Sequence, residues 1–289
     1  MHRRTARALW EFYEPVHDVT YFSPEARAAA DTIGMQGFYM GYFAMRAAPL
    51  GQVPPAVVTS CFYVFHDDRV ARALPDAWNR TSPQDALDAR LTGAGAALRR
   101  ILGEAADSDG IAEAADLAWR AAESADSRGR VLAAANQALD RPDQPILALW
   151  QALTTLREHR GDGHVAALVA ADVGPVEAML LKAHVGEADS ETQRTVRRWS
   201  EEEWAHGTAE LRARGWLNVA DRLTEAGRAA HDEIERRTDD AALSPWQALG
   251  GTDTERLAEL LAPIAEAVRS SGVLPEHNPV GLTSGTPLR

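Results

Sequence analysis

Three side chains in the first quarter of the chain have the chemistry for proton transfer. They are His66, flanked by Phe65 and the carboxylates Asp67 and Asp68, and His17 with Tyr21 one helical turn beyond it. A histidine oriented by a carboxylate serves as a general acid or base near neutral pH, and a tyrosine hydroxyl is a hydrogen-bond partner for substrate. On this reading His66 is the acid/base, His17 or Tyr21 its partner, and Arg46 the anchor for an anionic group. Phe38, Tyr39, Tyr42, Phe43, Cys61 and Tyr63 are the candidate ligand-binding wall, because a small-molecule pocket needs apolar walls with few polar groups. All six Phe and all five Tyr lie at or before Phe65, a bias that a uniformly packed core would not produce. The pocket is therefore expected in the first half.

Each of these residues also has a plainer reading. Arg46 could pair with Glu14 or Asp31, His66 could cap a helix, His17 could be a satisfied core histidine, and Cys61 a small buried apolar residue. Two Glu-x-x-His pairs, Glu14 with His17 and Glu203 with His206, put both side chains on one helical face, as di-iron bundles do. Pro15 interrupts the first pair, the second lies on an acidic helix, and bridging carboxylates are missing. Haem on His17 or His66 would have no attachment motif. The cofactor thus stays unknown, with haem or metal open and no metal site assigned. Phosphate-loop, dinucleotide, serine-elbow and zinc-spacing motifs are absent. Lys182, the sole lysine, would have to carry any Schiff-base chemistry; its plainer role is a helix residue that snorkels.

The elements that must position these groups are helices. Of 289 residues 45% are apolar, enough for a large core, and Ala-rich segments with apolar residues three and four apart dominate. One cysteine excludes an internal disulfide, and with no long apolar leader this points to a reducing cytoplasm. The stretch from Ile33 to Leu50 contains Gln36 and Arg46 and reads as a buried helix, so no membrane partner is expected. A net charge of −12 repels phosphate polyanions. Helices are expected at about 6–17, 24–33, 36–48, 54–64, 67–75, 84–102, 111–125, 128–140, 145–158, 164–171, 175–184, 191–198, 201–214, 224–240 and 253–270. Ser23, Ser82 and Ser200 stand where N-caps belong. The apolar helix at 36–48, with Gly37 and Gly41 four apart, is expected to let another helix approach closely.

Landmarks recur along the chain. Ala8-Leu9-Trp10 returns as Ala148-Leu149-Trp150, Gly34 as Gly174, and Arg90-Leu91-Thr92 as Arg222-Leu223-Thr224. This predicts a duplication: a first, aromatic-rich repeat over 1–144, a second over 145–272 and a flexible tail over 273–289.

In the second half a helix, a turn at Trp199-Ser200, a helix ending Leu211-Arg212-Ala213-Arg214-Gly215, then Trp216-Leu217, a few polar residues and Leu223-Thr224-x-x-Gly227 follow one another. That order resembles the winged helix of MarR-type proteins. The whole chain, with Glu14-Pro15-Val16-His17, Gly41-Tyr42-Phe43-Ala44 and Pro75-Asp76-Ala77-Trp78, also looks like an actinobacterial family catalogued as helix-turn-helix or MarR-like. The resemblance implies a mostly α fold of two tandem, degenerate winged-helix repeats packed as an intramolecular pseudo-dimer, with ligand-responsive DNA binding. Against DNA, the recognition helix would begin with Glu201, Glu202 and Glu203, and its counterpart in the first repeat with His66-Asp67-Asp68; both lack the attraction to phosphate that drives such binding. The reading is therefore a small-molecule-binding protein or an enzyme on a scaffold that has lost DNA binding, with an aromatic or anionic ligand in the first repeat. The alternative is a MarR-like regulator with Arg194, Arg197 and Arg198 against phosphates. Monomer and homodimer both suit the repeat.

Overall fold

A computed structural model describes residues 3–275. The expected flexible tail lies, beyond residue 275, outside the described residues. Sixteen α-helices form among them: α1 (Arg3–Phe22), α2 (Pro24–Thr32), α3 (Gly37–Ala47), α4 (Pro55–Cys61), α5 (Asp67–Ala71), α6 (Leu74–Trp78), α7 (Pro83–Leu102), α8 (Asp109–Ser124), α9 (Val131–Gln137), α10 (Pro145–Ala170), α11 (Pro175–His184), α12 (Ser190–Arg197), α13 (Glu201–Ala213), α14 (Glu225–Ala241), α15 (Ser244–Leu249) and α16 (Gly251–Ser270). No single described helix is long and apolar enough to cross a membrane. The three serine caps form: Ser23 Oγ accepts from the Ala26 amide at 3.1 Å, and Ser82 with Asp85 and Ser200 with Glu203 make reciprocal capping boxes.

Two helices run on past residues that ordinarily break them, and the gap expected over 159–163 does not occur. α1 runs through Pro15, whose missing N–H leaves the Glu11 carbonyl four residues back without its helical donor; the guanidinium of Arg269 on α16 takes that carbonyl instead. α10 runs unbroken past Gly161 and Gly163 because it is the central helix, buried on nearly every face from Ile146 to Leu168. Tertiary burial there outweighs about 1 kcal/mol of helix propensity lost at each glycine.

Three cores result. The largest joins α1, α7 and α8 to α10, α15 and α16 around the fully buried Trp150 and Trp246, so helices from both sides of residue 144 share it. A first lobe gathers α3, α4, α5 and α6 on Phe43, Phe62, Phe65 and Leu74. A second gathers the end of α10 with α11, α13 and α14 on Leu168, Met179, Leu211 and Ile234. Of the two glycines expected to admit a neighbouring helix to α3, Gly41 does so and Gly37 has nothing within 4 Å. A Cβ on Gly41 would stand 3.1 Å from that of Ala30, so the close approach is to α2 within the first lobe.

The recurrent landmarks fare unequally. Ala8-Leu9-Trp10 and Ala148-Leu149-Trp150 lie in the N-terminal halves of α1 and α10, which pack together with Leu9 and Leu149 buried. Arg90-Leu91-Thr92 lies inside α7, whereas Arg222-Leu223-Thr224 forms one side of a hairpin and the N-cap of α14, so that match is not structural. In the second half α12, a turn, α13, a hairpin closed by the Leu217–Leu223 bridge, and α14 follow one another. At the corresponding place in the first half Asn79–Ser82 runs straight into α7, and among the described residues no second bridge forms.

Candidate functional site

Between the two lobes, α1 and α10 floor a cavity of about 270 Å³. A smaller chamber of about 40 Å³ lies beside it, behind α3. Tyr21, Phe38, Tyr42 and Arg46 line both and form the partition. The pocket is thus not confined to the first half, because α10, α11, α12 and α14 supply much of its wall.

A chain of alternating charges holds the partition. Arg46 donates through Nε and Nη2 to the two oxygens of Glu158 at 2.8 and 2.9 Å, and through Nη1 to Tyr42 Oη at 2.9 Å. Its guanidinium lies 4.2 Å from the centre of the Phe62 ring. Arg157 bridges Glu158 at 3.0 Å and Glu14 at 3.1 Å, and Trp10 donates to Glu14 at 2.9 Å. Burial alone would raise the Glu158 carboxyl; Arg46 and Arg157 together outweigh it and hold the group well below its ordinary value. The partner of Arg46 is therefore Glu158 on α10, not Glu14 or Asp31; Asp31 pairs with Arg27. Most of the Arg46 fork is engaged inside the protein, so it shapes the cavity more than it anchors a ligand.

His17 and Tyr21 share the inner chamber. Thr154 Oγ1 donates its one proton to the Trp150 carbonyl at 2.9 Å, so the 3.0 Å contact to His17 requires His17 Nδ1–H as donor. Nε2 is then the acceptor, receiving Tyr21 Oη–H at 2.9 Å. Burial holds His17 well below its ordinary pKa, and Arg157 adds to the effect, so the ring is neutral with its lone pair taken. It orients Tyr21 rather than serving as a free base. The next residue, Asp18, is fully buried with neither carboxyl oxygen hydrogen-bonded; burial, then the nearby Glu14, pushes it well above its ordinary value.

The outer cavity mixes two kinds of surface. Trp10, Tyr21, Phe38, Tyr39, Tyr42 and Phe65 present aromatic rings. Among them stand Arg7, Arg46, Arg157, Arg160, Lys182 and Arg197, with Arg7 and Arg160 near the Trp10 ring, and the carboxylates Glu14, Glu187 and Glu235. Asp239 holds Arg160 at 2.7 Å and Arg7 at 3.2 Å, and Glu235 also takes Arg7. Arg197 lies 5.4 Å from the Phe65 ring centre; burial pushes it down to about 10, still charged at neutral pH. Burial likewise lowers the Lys182 ammonium, against Glu187 and Glu235, which favour its charge. His164 donates from Nδ1 to Thr238 Oγ1 at 2.9 Å, since that hydroxyl donates to the Ile234 carbonyl; burial pushes this ring down to about 4.

Several expected site residues lie elsewhere. His66 is not among the residues lining either hollow: Nδ1 accepts from the Asp68 amide at 3.1 Å as the cap of α5, and Nε2 meets Glu203 Oε1 at 3.2 Å across the lobes. It clasps the two lobes together with Tyr63, whose hydroxyl donates to the Val173 carbonyl at 2.7 Å, and Trp199, which donates to the Val64 carbonyl at 3.0 Å. Phe43 is wholly buried in the first-lobe core. Cys61 is half-buried outside both hollows, and burial raises its thiol away from the nucleophilic form. Arg197 turns inward, Arg194 is held by Glu191 at 2.7 Å and Arg198 is exposed, so the three arginines expected against phosphate do not share one open face. Glu14 and His17 are engaged with Arg157 and Thr154, so the first Glu-x-x-His pair is not arranged as a metal site. Among the described residues no three His, Cys, Asp or Glu side chains come together as metal ligands.

Sequence reasoning missed Arg157, Glu158, Arg160 and His164 on α10. Their signal was a run of charged and histidine residues, 157–164, inside an otherwise apolar helical pattern. The model of a helix-turn-helix family matches residues 6–275. No curated protein and no solved structure matches the chain.

Proposed function

The chain belongs to this helix-turn-helix family, and from that premise we propose that its scaffold serves as a receptor for a small aromatic anion, held in the cavity between the lobes. One observation carries the reading. In a chain of net charge −12, six cationic side chains and, among the described residues, three carboxylates line a cavity whose surface is otherwise rich in aromatic rings. Guanidinium and ammonium groups clustered among aromatic rings favour a ligand that is both anionic and aromatic. The volume, about 270 Å³, approaches the roughly 300 Å³ at which small-molecule sites begin.

The MarR-like regulator reading needs the first turn of α13 against a nucleic acid. Glu201, Glu202 and Glu203 stand there, with Glu203 completing the cap and meeting His66. The hairpin tip carries only Asn218, Val219, Ala220 and Asp221, and Asp221 pairs with Arg212. Neither element offers phosphate an attractive charge.

The test is titration of the full chain with 8-anilinonaphthalene-1-sulfonate, followed by fluorescence and competed with 4-hydroxyphenylacetate and its neutral amide. Saturable binding displaced by the acid and not by the amide is expected, with affinity about tenfold weaker in Lys182→Met, equivalent to about 1.4 kcal/mol. Equal displacement by acid and amide, or unchanged affinity in the variant, would sink the reading. Duplex DNA retarded at about 50 mM salt and released by more salt would favour the regulator instead.

A further inference from the structure

Arg90, on α7, is a buried cation whose hydrogen-bond partners among the described residues are all neutral. Its residue is 4% exposed. Nη2 donates to Gln151 Oε1 at 3.0 Å and Asn136 Oδ1 at 3.3 Å, and Nη1 to the Met45 carbonyl at 3.3 Å. Nε has no acceptor. Among the described residues no carboxylate comes within ion-pair distance of it, and Glu158, the charge whose field reaches it, is already shared by Arg46 and Arg157. Arg90 is thus held by neutral acceptors alone among the described residues; burying a guanidinium without an opposing charge is strongly unfavourable, and a bound anion would supply the missing partner.

Arg90 faces the inner chamber. At about 40 Å³ the chamber has room for roughly three waters, or a carboxylate with its attached carbon. Of the two other guanidinium groups on its wall, Arg27 pairs with Asp31 and Arg46 with Glu158; the remaining polar groups are the hydroxyls of Tyr21, Tyr42, Thr20 and Thr154 and the neutral ring of His17. Tyr21 Oη keeps its lone pairs after donating to His17, and Thr154 is bound between His17 and the Trp150 carbonyl. The one carboxylate on the wall, Glu158, is turned into the Arg46 fork.

We propose that the inner chamber is a carboxylate-binding site with Arg90 as its cationic base. Two sources supply that chemistry: a free small carboxylate, or the carboxylate end of the larger ligand reaching past Tyr21 and Tyr42. The second source rests on the reading of the outer cavity given above; the first does not.

The experiment measures thermal unfolding and equilibrium binding of the full chain with formate, acetate and 4-hydroxyphenylacetate. The matching neutral amides serve as controls, all at constant ionic strength and pH 7. Carboxylates should raise the unfolding midpoint saturably and amides should not, and Arg90→Gln should weaken carboxylate binding at least tenfold. Should Arg90→Gln not accumulate, Arg90→Lys, which keeps the charge and loses the fork, should weaken it by several-fold. Saturation by formate and acetate without displacement of anilinonaphthalene sulfonate identifies a free small anion, and that result stands even if the outer-cavity reading fails. Binding of the aromatic acid alone, with displacement and loss in Arg90→Gln, identifies the tethered group. Aromatic acid that binds equally well to parent and Arg90→Gln, with no saturable response to formate or acetate, leaves the outer site intact and overturns this inner one, as does equal response to acids and amides or no response at all.

Discussion

Arg46, His17 and Asp162 show how burial decides what a polar residue does. Arg46 and His17 were legible as chemistry-bearing residues from their types and aromatic neighbours, but their partners, Glu158 and Thr154, lie 112 and 137 residues away. Nothing local in the chain names them. Asp162, 8% exposed on α10, accepts the Ala133 amide at 2.9 Å, and burial pushes its pKa from 3.8 to about 6. Below pH 3.8 it is protonated in both states. Between about 4 and 6 the unfolded chain releases the proton while the folded one retains it, so stability falls as pH rises and stays reduced above 6. Asp162→Asn keeps the acceptor and removes the charge, and should gain up to about 3 kcal/mol at pH 7 while losing this pH dependence. Urea unfolding of both proteins at pH 4, 5, 6 and 7 checks it; parallel curves with no offset would refute the assignment.

At the scale of elements, caps and apolar spacing were readable because they are local. Ser23, Ser82 and Ser200 started helices where expected, and most predicted segments match observed ones within a few residues. The failures came where another element intervenes: Arg269 rescues the carbonyl that Pro15 strands, and packing carries α10 across its glycines. The Leu223-Thr224-x-x-Gly227 motif has a local cause. Thr224 Oγ1 accepts the Gly227 amide at 3.0 Å to cap α14, and a Cβ on Gly227 would stand 2.3 Å from the Trp216 carbonyl oxygen. Gly227→Ala must therefore push the hairpin off the helix and should lose about 2–3 kcal/mol. Chemical denaturation reads this directly, and a stability unchanged within about 0.5 kcal/mol would show that the hairpin yields without penalty.

For the molecule as a whole, the shared central core is the governing fact. Because α1, α7 and α8 bury their apolar faces against α10, α15 and α16, a fragment of residues 1–144 leaves that core half exposed. It should lack a cooperative melt by far-ultraviolet circular dichroism, whereas the full chain should unfold in one transition; a cooperative melt of the fragment would show two autonomous repeats. Composition and local spacing by themselves determined that this protein is helical, where most helices start, that its Phe and Tyr residues gather in the first part, and that its overall charge disfavours polyanions. Such properties depend on neighbours within a few residues or on sums over the chain. The tertiary structure alone decided that His66 clasps two lobes instead of facing a cavity, that Arg46 belongs to Glu158, and that Lys182, Arg197 and Arg90 face the hollows. Those outcomes depend on which distant helix supplies the opposing charge, and the choice is made by packing of apolar faces, a force that carries no direction in the sequence.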